Sequence, residues 1–388
     1  MSRPATAKGL VSSLDPALLL IVGLLLGGGL VMLSSASVAL AERSTGDPFF
    51  YVERQAVAAL LGIACGAIAL RVPTDTWERA GLMLPCLAMV LLAAVLIPGL
   101  GNTVNGSTRW LRIGGINIQA AEPARLLLFM WIAGYAVRHS DALRTSASGF
   151  VKPMLLIGPA CLLLLLQPDF GSAVVLMVVS VAILFVAGAR IRDLLLIGGL
   201  FTLAAALLVG TSDYRLGRVL GFMDPWADPY AKGFQLVQSL IAVGSGEWAG
   251  LGLGNGVQKL FYLPEAHTDF VFAVIAEEFG LLGSVGVILL FGALTWRALQ
   301  IARASAANGR LYQANLAFGI AAWQGLQAFI NVGVNMGVLP TKGLPLPLVS
   351  YGRSSMIVTL IALALLLRID WENRQPVPRK TRRRRVVA

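Results

Sequence analysis

Charged residues are scarce in this chain of 388 amino acids. Asp, Glu, Lys and Arg make up 13% of it, whereas hydrophobic residues make up 57%. Soluble domains average about 25% charged residues, so this composition excludes a soluble globular protein. Histidine and cysteine are also rare, with two and three residues. Cys65, Cys86 and Cys161 fall inside apolar segments without metal-ligand spacing, which predicts small core residues and argues against a disulfide framework.

Long apolar runs dominate the chain instead. Runs of about 18 or more apolar residues are typical of helices that span a bilayer. Backbone polar groups in lipid must be satisfied internally, which favours a helix bundle. We therefore predict an all-α polytopic membrane protein with ten transmembrane helices. The runs lie at about 16–39, 55–72, 80–98, 121–137, 153–167, 171–189, 193–210, 270–300, 314–338 and 347–368.

The first run ends in Ala39-Leu-Ala41, which is similar to a signal-peptide cleavage site. Its apolar core is well over the 7–15 residues of a signal peptide, however. We therefore predict that this run is retained as the first transmembrane helix.

Lysine and arginine are distributed unevenly along the chain. Most of the 31 basic residues fall in the two termini and in alternate short connections, which predicts that both termini are cytoplasmic. The chain then divides into a cytoplasmic segment 1–14, a membrane domain 15–368 and a basic cytoplasmic tail 369–388. The arginine-rich run 379–385 is typical of a segment held to anionic lipid. Nucleic-acid binding is the less favoured alternative, and we expect no nucleic-acid partner.

Ionisable residues gather where the eighth run begins, between Leu263 and Glu278. A charge at membrane depth costs about 2.5–3.5 kcal/mol on insertion scales, so such residues usually mark a functional site. On an ideal helix Glu277 lies about 80° from Asp269, and Glu278 lies nearly opposite Asp269. One glutamate could face a cavity while the other pairs with an arginine or contacts another helix, and structural ion pairing is the favoured interpretation.

A long outer connection, about 211–268, separates the seventh and eighth runs. Loops longer than about 12–15 residues are usually functional. This one contains Arg215, Arg218 and the glycine-rich string Gly250–Gly256. The string does not follow a predicted strand, so it is not a dinucleotide-binding motif. Its glycines favour tight turns or a close backbone approach.

Shorter outer segments carry further polar residues. Glu122 and Arg125 share a helix face and could pair, although helix capping explains the glutamate equally well. Asp169 lies in a very short connection, where a turn or a helix cap is an equally good interpretation. Lys342 lies within Leu339–Pro347, whose prolines cannot continue a helix. Non-helical backbone at membrane depth needs protein or a cavity around it, which predicts a re-entrant outer segment.

Several of these stretches together resemble one family. They are Gly106-Ser-Thr-Arg-Trp-Leu111, Gln167-Pro-Asp-Phe-Gly171, Tyr262-Leu-Pro-Glu-Ala-His-Thr-Asp-Phe-Val-Phe-Ala273, Leu339-Pro-Thr-Lys-Gly343 and Ser350-Tyr-Gly-Arg-Ser-Ser355. In order and spacing they resemble the SEDS family (shape, elongation, division and sporulation), and its division branch more than its elongation branch. Two positions depart from the family pattern. Arg353 stands where a second glycine is usual, and Arg125 stands where lysine is usual, keeping the charge in a planar group.

The resemblance implies a peptidoglycan glycosyltransferase of the bacterial inner membrane. Such an enzyme polymerises lipid II, an undecaprenyl-diphosphate-linked disaccharide pentapeptide, at the outer face of the membrane during septal wall synthesis. The resemblance also implies a cognate class B penicillin-binding protein of the FtsI type as partner. Division regulators of the FtsQ, FtsL, FtsB and FtsN type are further implied partners. The family's essential aspartate maps by motif onto Asp269.

That reaction assigns chemical roles to the candidate residues. It joins a sugar 4-hydroxyl to an anomeric carbon with inversion, so it needs one base, which is typically worth about 10²–10⁴-fold in rate. We expect Asp269 to be the catalytic base. The leaving diphosphate is anionic and calls for cationic donors. The expected substrate-binding residues are Arg109, Glu122, Arg125, Asp169, Arg215, Arg218, His267, Lys342 and Ser350.

Some alternatives stay open at this point. A divalent cation, Mg²⁺ or Mn²⁺, could bridge Asp269 and the diphosphate, although no ligand cluster demands one. His267 could bond to that carboxylate or to a sugar, or be an ordinary histidine at the start of a helix. A lipid II flippase would share the broken helices and the buried charges, but the charged motifs cluster at the outer helix ends and no inverted repeat is visible. A non-catalytic scaffold would leave the carboxylates without a chemical task.

Overall fold

The computed structural model describes residues 14–104, 107–113, 116–210, 217, 221–230, 233–340 and 343–375. Most of these residues are helical. The longer helices are α1 (Pro16–Thr45), α2 (Phe50–Arg71), α3 (Thr74–Ala80), α4 (Met83–Ala94), α5 (Ala121–Arg138), α6 (Ser140–Thr145), α7 (Ala147–Leu166), α8 (Phe170–Val186), α9 (Ile191–Gly210), α10 (Phe234–Ser245), α11 (Val271–Ala307), α12 (Leu311–Asn335) and α13 (Arg353–Asn373).

Each of the ten predicted apolar runs coincides with a helix. Within the described residues, five helices are long and apolar enough to cross a membrane: α1, α2, α7, α11 and α13. The pair α3 and α4 adds a sixth candidate span, bent by 70° at its break. The chain is therefore a helical protein of membrane type, while the number of ten spans stays a prediction. The last helix begins at Arg353 and not at 347, because the backbone before it is not helical: Leu348 has a φ of 64° and Gly352 is extended with a φ of 178°.

The prediction of an all-α chain is wrong between α4 and α5. The described residues there include an antiparallel sheet of three strands in the order β1 (Gly101–Val104), β2 (Ser107–Ile113) and β3 (Ile116–Gln119). Trp110 pairs with Asn102 on one side and with Gln119 on the other. The segment is rich in β-branched and aromatic residues, which favour strands. The sheet ends just before α5 and so leads directly into the helix turn that carries Glu122.

Among the five candidate spans, α13 is the most buried. It packs along α2, where Gly62 and Gly66 allow close approach: a Cβ on Gly62 would lie 2.7 Å from the Leu360 side chain. Outer helices leave large apolar side chains exposed, such as Leu20 on α1. An apolar outer surface also accommodates cysteine. Cys161 is buried but Cys65 and Cys86 are exposed, so the predicted core positions are wrong for those two.

The described parts of the predicted outer segments meet at one end of the bundle. The amide of Gln119 donates to Ser354 Oγ at 2.9 Å, which joins the sheet to the start of α13. The amide of Tyr351 donates to the carbonyl of His267 at 2.9 Å. Residues 343–352, which we call the re-entrant segment after the prediction made for this part of the chain, therefore lie against the turns that precede α11. Their re-entry into the membrane stays a prediction. The long connection also contains the helix α10, which the apolar runs do not predict.

Helix α11 is interrupted at Gly280, whose φ of 63° and ψ of −155° are accessible essentially to glycine alone. The loop 247–252 inserts at this break and bonds to the backbone groups that the break frees. These bonds run from Leu251 N to Glu277 O (3.0 Å), Gly252 N to Glu278 O (3.0 Å), Leu281 N to Glu247 O (2.9 Å) and Leu282 N to Trp248 O (3.2 Å). An unsatisfied backbone group in an apolar environment costs several kcal/mol, so the inserted loop makes the break tolerable.

Gly246 lies at the tightest point of this insertion. A Cβ at that position would overlap the main-chain carbonyl of Ala276. We expect Gly246→Ala to lower the free energy of unfolding by about 1–3 kcal/mol, the usual cost of overpacking. Thermal unfolding of the purified protein in detergent measures the loss. Gly244→Ala is the matched control, because nothing lies within 4 Å of a Cβ there; an equal loss in both variants would contradict the close packing.

Candidate active site

Asp269 lies in the turn that precedes α11, and its side chain is partly exposed. Two amide side chains of α12 bind its main-chain carbonyl. Asn331 donates to it at 2.9 Å and Asn335 at 3.0 Å. The backbone of the predicted base is thus attached to a neighbouring helix, while its carboxylate stays at the edge of the protein interior.

The re-entrant segment lies directly beside this carboxylate. A Cβ on Gly343 would lie 2.7 Å from Asp269 Oδ2, so the backbone at Gly343 approaches the carboxylate closely. The Pro-Glu-Ala-His-Thr-Asp and Pro-Thr-Lys-Gly stretches are therefore neighbours in space. Lys342, Arg215 and Arg218 lie outside the described residues, and their predicted roles stay predictions.

Glu122 and Arg125 form an ion pair within the first turn of α5, as their spacing predicts. Both side chains are buried, at 1% and 0% exposure. The Arg125 guanidinium also lies 5.3 Å from the centre of the Trp323 ring. Among the described residues, Arg125 Nε and Nη1 and Glu122 Oε2 have no hydrogen-bond partner. Buried donors without acceptors are costly, so they are suited to an anionic group that enters the site.

Arg109 contacts the turn between α7 and α8, and Asp169 lies in that turn. Arg109 Nε donates to the carbonyl of Gln167 at 3.3 Å, and its Nη2 donates to the carbonyl of Pro168. The Asp169 carboxylate accepts from the amide and the hydroxyl of Ser172, at 3.2 and 2.8 Å. Asp169 therefore caps α8, in agreement with the second interpretation of this residue. A substrate contact for either residue stays a prediction.

Ser350 and His267 lie where the re-entrant segment meets the Asp269 turn. Ser350 Oγ accepts from the amide of Leu346 at 2.9 Å, and its carbonyl accepts from Gln55 Nε2 at 3.1 Å. His267 is buried, and its ring centre lies 4.7 Å from that of Tyr51. Burial lowers the pKa of His267, and the Glu265 carboxylate opposes this shift. The imidazole is thus neutral and packed against aromatic rings.

The lowered pKa of His267 predicts a loss of stability in acid. An unfolded histidine titrates near pH 6.5, so below that pH the unfolded chain binds a proton that folded His267 resists, and stability falls. We expect the melting temperature to drop more between pH 7.5 and 5.5 in the wild type than in His267→Gln. Equal drops in the two proteins would contradict a neutral buried imidazole.

Glu277 and Glu278 have structural partners. Glu278 pairs with Lys259 at 2.5 Å and accepts from Ser35 Oγ at 2.7 Å. This confirms a structural ion pair for Glu278, but the partner is a lysine and not the expected arginine. Glu277 Oε1 accepts from the amides of Val257 and Gln258, at 2.8 and 3.2 Å. Lys259 follows the glycine-rich string in sequence and was expected in the outer loop, yet it is buried because the loop folds into the bundle.

Helix α12 carries a set of polar side chains that was not among the predicted site residues. Trp323, Gln327, Asn331 and Asn335 recur at every fourth position and are buried. Residues four apart lie on one face of a helix, so the spacing alone could have identified them as a row. We call these four residues the α12 polar row.

No group of three or more His, Cys, Asp or Glu side chains among the described residues could hold a metal ion. A divalent cation at Asp269 would therefore need oxygen ligands from the substrate as well, as is usual for magnesium.

Comparisons with known proteins agree with the arrangement of the motifs. The family model described as "Cell cycle protein", for FtsW, RodA and SpoVE, matches residues 16–375. The chain is 52% identical over 369 residues to the probable peptidoglycan glycosyltransferase FtsW of Thioalkalivibrio sulfidiphilus, covering 95% of this chain and 92% of the relative. It is 53% identical over 371 residues to the protein of the same name from Alkalilimnicola ehrlichii, with the same shares covered.

Solved structures show the same fold. The rod shape determining protein RodA of Thermus thermophilus superposes with a TM-score of 0.69 at 31% identity, over 94% of this chain and 99% of that one. A chain from a peptidoglycan synthase complex, described as coordinating polymerization and crosslinking, superposes with a TM-score of 0.74 at 33% identity, over the same shares. On the match over residues 16–375 and on these identities, the chain belongs to the FtsW, RodA and SpoVE family.

Proposed function

We propose that this chain is a peptidoglycan glycosyltransferase that polymerises lipid II during septal wall synthesis. The observation that carries the proposal is the setting of Asp269. Its carboxylate is partly exposed beside Gly343, and its backbone is held by two buried amides. The relatives that are about half identical to this chain carry the name probable peptidoglycan glycosyltransferase FtsW, which supports this chemistry over any other.

In the proposed reaction Asp269 is the general base. The 4-hydroxyl oxygen of one disaccharide attacks the anomeric carbon of another from the side opposite the diphosphate. The new oxygen–carbon bond forms while the bond from that carbon to the diphosphate oxygen breaks, which inverts the configuration. The hydroxyl proton passes to the Asp269 carboxylate, and the lipid diphosphate leaves with the bonding electrons. One positioned carboxylate meets these requirements.

Cationic side chains are proposed to bind the diphosphate. Arg125 is the best supported, because its Nε and Nη1 lack acceptors among the described residues while Glu122 keeps the side chain in place. We also propose Arg109, Arg215, Arg218 and Lys342 for this role, the last three on their charge alone. His267 would contact a sugar. Asp169 and Ser350 would shape the site from the loops whose backbone groups they bind.

The remaining features of the proposal concern the whole protein. We propose ten spans with both termini cytoplasmic, a membrane domain over 15–368 and the active site on the periplasmic side at the septum. The structural similarity to a chain of a peptidoglycan synthase complex supports a class B penicillin-binding protein as partner. Regulators of the FtsQ, FtsL, FtsB and FtsN type are proposed from the family resemblance. If the enzyme uses Mg²⁺ or Mn²⁺, Asp269 is the side chain that would hold it together with the diphosphate.

One reconstitution separates the candidate functions. The purified chain, together with its class B penicillin-binding protein carrying a disabled catalytic serine, is placed in liposomes with labelled lipid II. Glycan polymer, resolved on a gel, is the expected result. Lipid II that crosses the bilayer without being polymerised would support a flippase instead. If neither occurs, but the intact partner cross-links supplied glycan faster in the presence of the chain, a scaffold is supported.

A further inference from the structure

We propose that the α12 polar row positions Asp269 against the re-entrant segment, so that its residues are positioning residues for the reaction. This inference rests on the proposed function. The row consists of Trp323, Gln327, Asn331 and Asn335, with exposures of 0%, 1%, 2% and 0%. None of the four carries a charge, and none is expected to touch the reacting atoms.

The amides of the row bind backbone atoms of the two segments that form the site. Gln327 Nε2 donates to the carbonyl of Pro345 at 2.9 Å. Asn331 Nδ2 donates both to the carbonyl of Leu344 at 2.7 Å and to that of Asp269 at 2.9 Å. One amide group thus bridges the residue after Gly343 and the base itself. The relative position of the two segments depends on this bridge.

Asn335 binds the same turn at two points. Its Nδ2 donates to the Asp269 carbonyl at 3.0 Å and to the Asn331 carbonyl at 2.8 Å. Its Oδ1 accepts from the amide of Ala273 at 3.0 Å, in the first turn of α11. The turn containing Asp269 is therefore held at the base and again four residues later, which restricts rotation of that segment about the helix axis.

Trp323 extends the row to the other charged part of the site. Its Nε1 donates to Gln327 Oε1 at 2.9 Å, which orients the amide that binds Pro345. Its ring lies 5.3 Å from the guanidinium of Arg125. A single face of α12 therefore contacts Arg125, which is proposed to bind the diphosphate, as well as the re-entrant segment and the base. Because catalysis depends on the mutual distances of such groups, a rigid helix face is suited to setting them.

An ordinary packing role would predict a different pattern of partners. Asn315, a further buried amide on α12, donates to the carbonyl of Ala133 on α5 at 3.4 Å and so joins two helices. The amides of Gln327, Asn331 and Asn335 bind the turns and the segment that carry the motifs. Buried amides cost free energy when they are unpaired, so apolar side chains would have served for packing alone.

The test compares Asn331→Leu with Asn315→Leu in the lipid II polymerisation assay, over a range of lipid II concentrations. Both variants remove one buried amide from the same helix. We expect kcat of Asn331→Leu to fall by about 10²-fold, since a misplacement of about 1 Å has that effect, with KM changed less than about threefold. Asn315→Leu should keep kcat within about threefold at a similar melting temperature. Equal kcat values for the two variants would overturn the positioning role.

Milder variants keep the test decisive if Asn331→Leu is not recovered folded. Asn331→Ser retains one donor. Gln327→Met releases the Pro345 carbonyl and the Trp323 indole N–H but leaves the bonds of Asn331 in place. Each variant should lower kcat by about tenfold while KM holds, and unchanged kcat in both overturns the inference. Failure of the proposed function looks different. In that case the wild type forms no polymer. If the wild type is active and the variants of the α12 polar row keep its kcat, only the positioning role is overturned.

Discussion

Asp269→Asn should reduce lipid II polymerisation by about 10²- to 10⁴-fold, the usual contribution of a general base. The amide has the same shape as the carboxylate but cannot accept the hydroxyl proton. The bonds from Asn331 and Asn335 go to the main-chain carbonyl of this residue, so they remain in the variant. The folded structure should therefore be retained, and a thermal melt of the purified protein checks this alongside the polymer gel.

A neighbouring carboxylate supplies the matched control for this experiment. Glu265 is four residues from Asp269 in the same motif, and its exposed side chain accepts from Thr268 Oγ1 at 2.8 Å. Glu265→Gln should polymerise lipid II at close to the wild-type rate. Polymer at the wild-type rate from Asp269→Asn would refute the assignment of the base. A large loss in both variants would point to a general requirement for negative charge on this turn.

Lys259→Met should lower the free energy of unfolding by about 3–5 kcal/mol, the cost of leaving one member of a buried ion pair without its partner. Glu278 is fully buried and pairs with Lys259 at 2.5 Å. Without that ammonium group, the Ser35 hydroxyl is the one remaining side-chain donor to the carboxylate among the residues that the structure describes. Thermal unfolding in detergent measures the loss.

A double variant tests the physical reason. Glu278→Gln combined with Lys259→Met removes both charges, while the new amide can still accept from Ser35, so most of the lost stability should return. Lys152→Met removes an exposed lysine and should change stability little. A double variant that is no more stable than Lys259→Met would show that the loss comes from packing and not from an unpaired charge.

Position in the chain explains which parts of the site were predictable. The Glu122–Arg125 pair follows from a spacing of three residues on one helix, and such a spacing can be read directly from the sequence. The proximity of Asp269 and Gly343 does not follow from residue order, because the two residues lie in separate motifs on different segments of the chain. The ion pair of Lys259 with Glu278 was not predicted as a pair. Its members are 19 residues apart, and Ser35 is 243 residues from Glu278.

Two elements of the secondary structure were also not predicted from the apolar runs. The three strands β1, β2 and β3 contain strand-forming residues. They lie in a short polar segment between the third and fourth apolar runs, and hydropathy alone does not predict a sheet there. The break at Gly280 is also hidden in an unbroken apolar run. It is stable because the loop 247–252 supplies hydrogen bonds to the freed backbone groups, and that loop is about thirty residues away in the chain.

By itself, the sequence determined the helical membrane class and the family, because both depend on properties of single residues and on motifs read in order. Transfer of an apolar run into lipid is a sum over its own residues, so composition is sufficient. Only the tertiary structure decided which polar groups meet. The row Trp323, Gln327, Asn331 and Asn335 is visible as a spacing, but its partners at Asp269, Leu344 and Pro345 come from other segments of the chain. Hydrogen bonds between distant segments depend on how the helices pack, and residue order does not encode that directly.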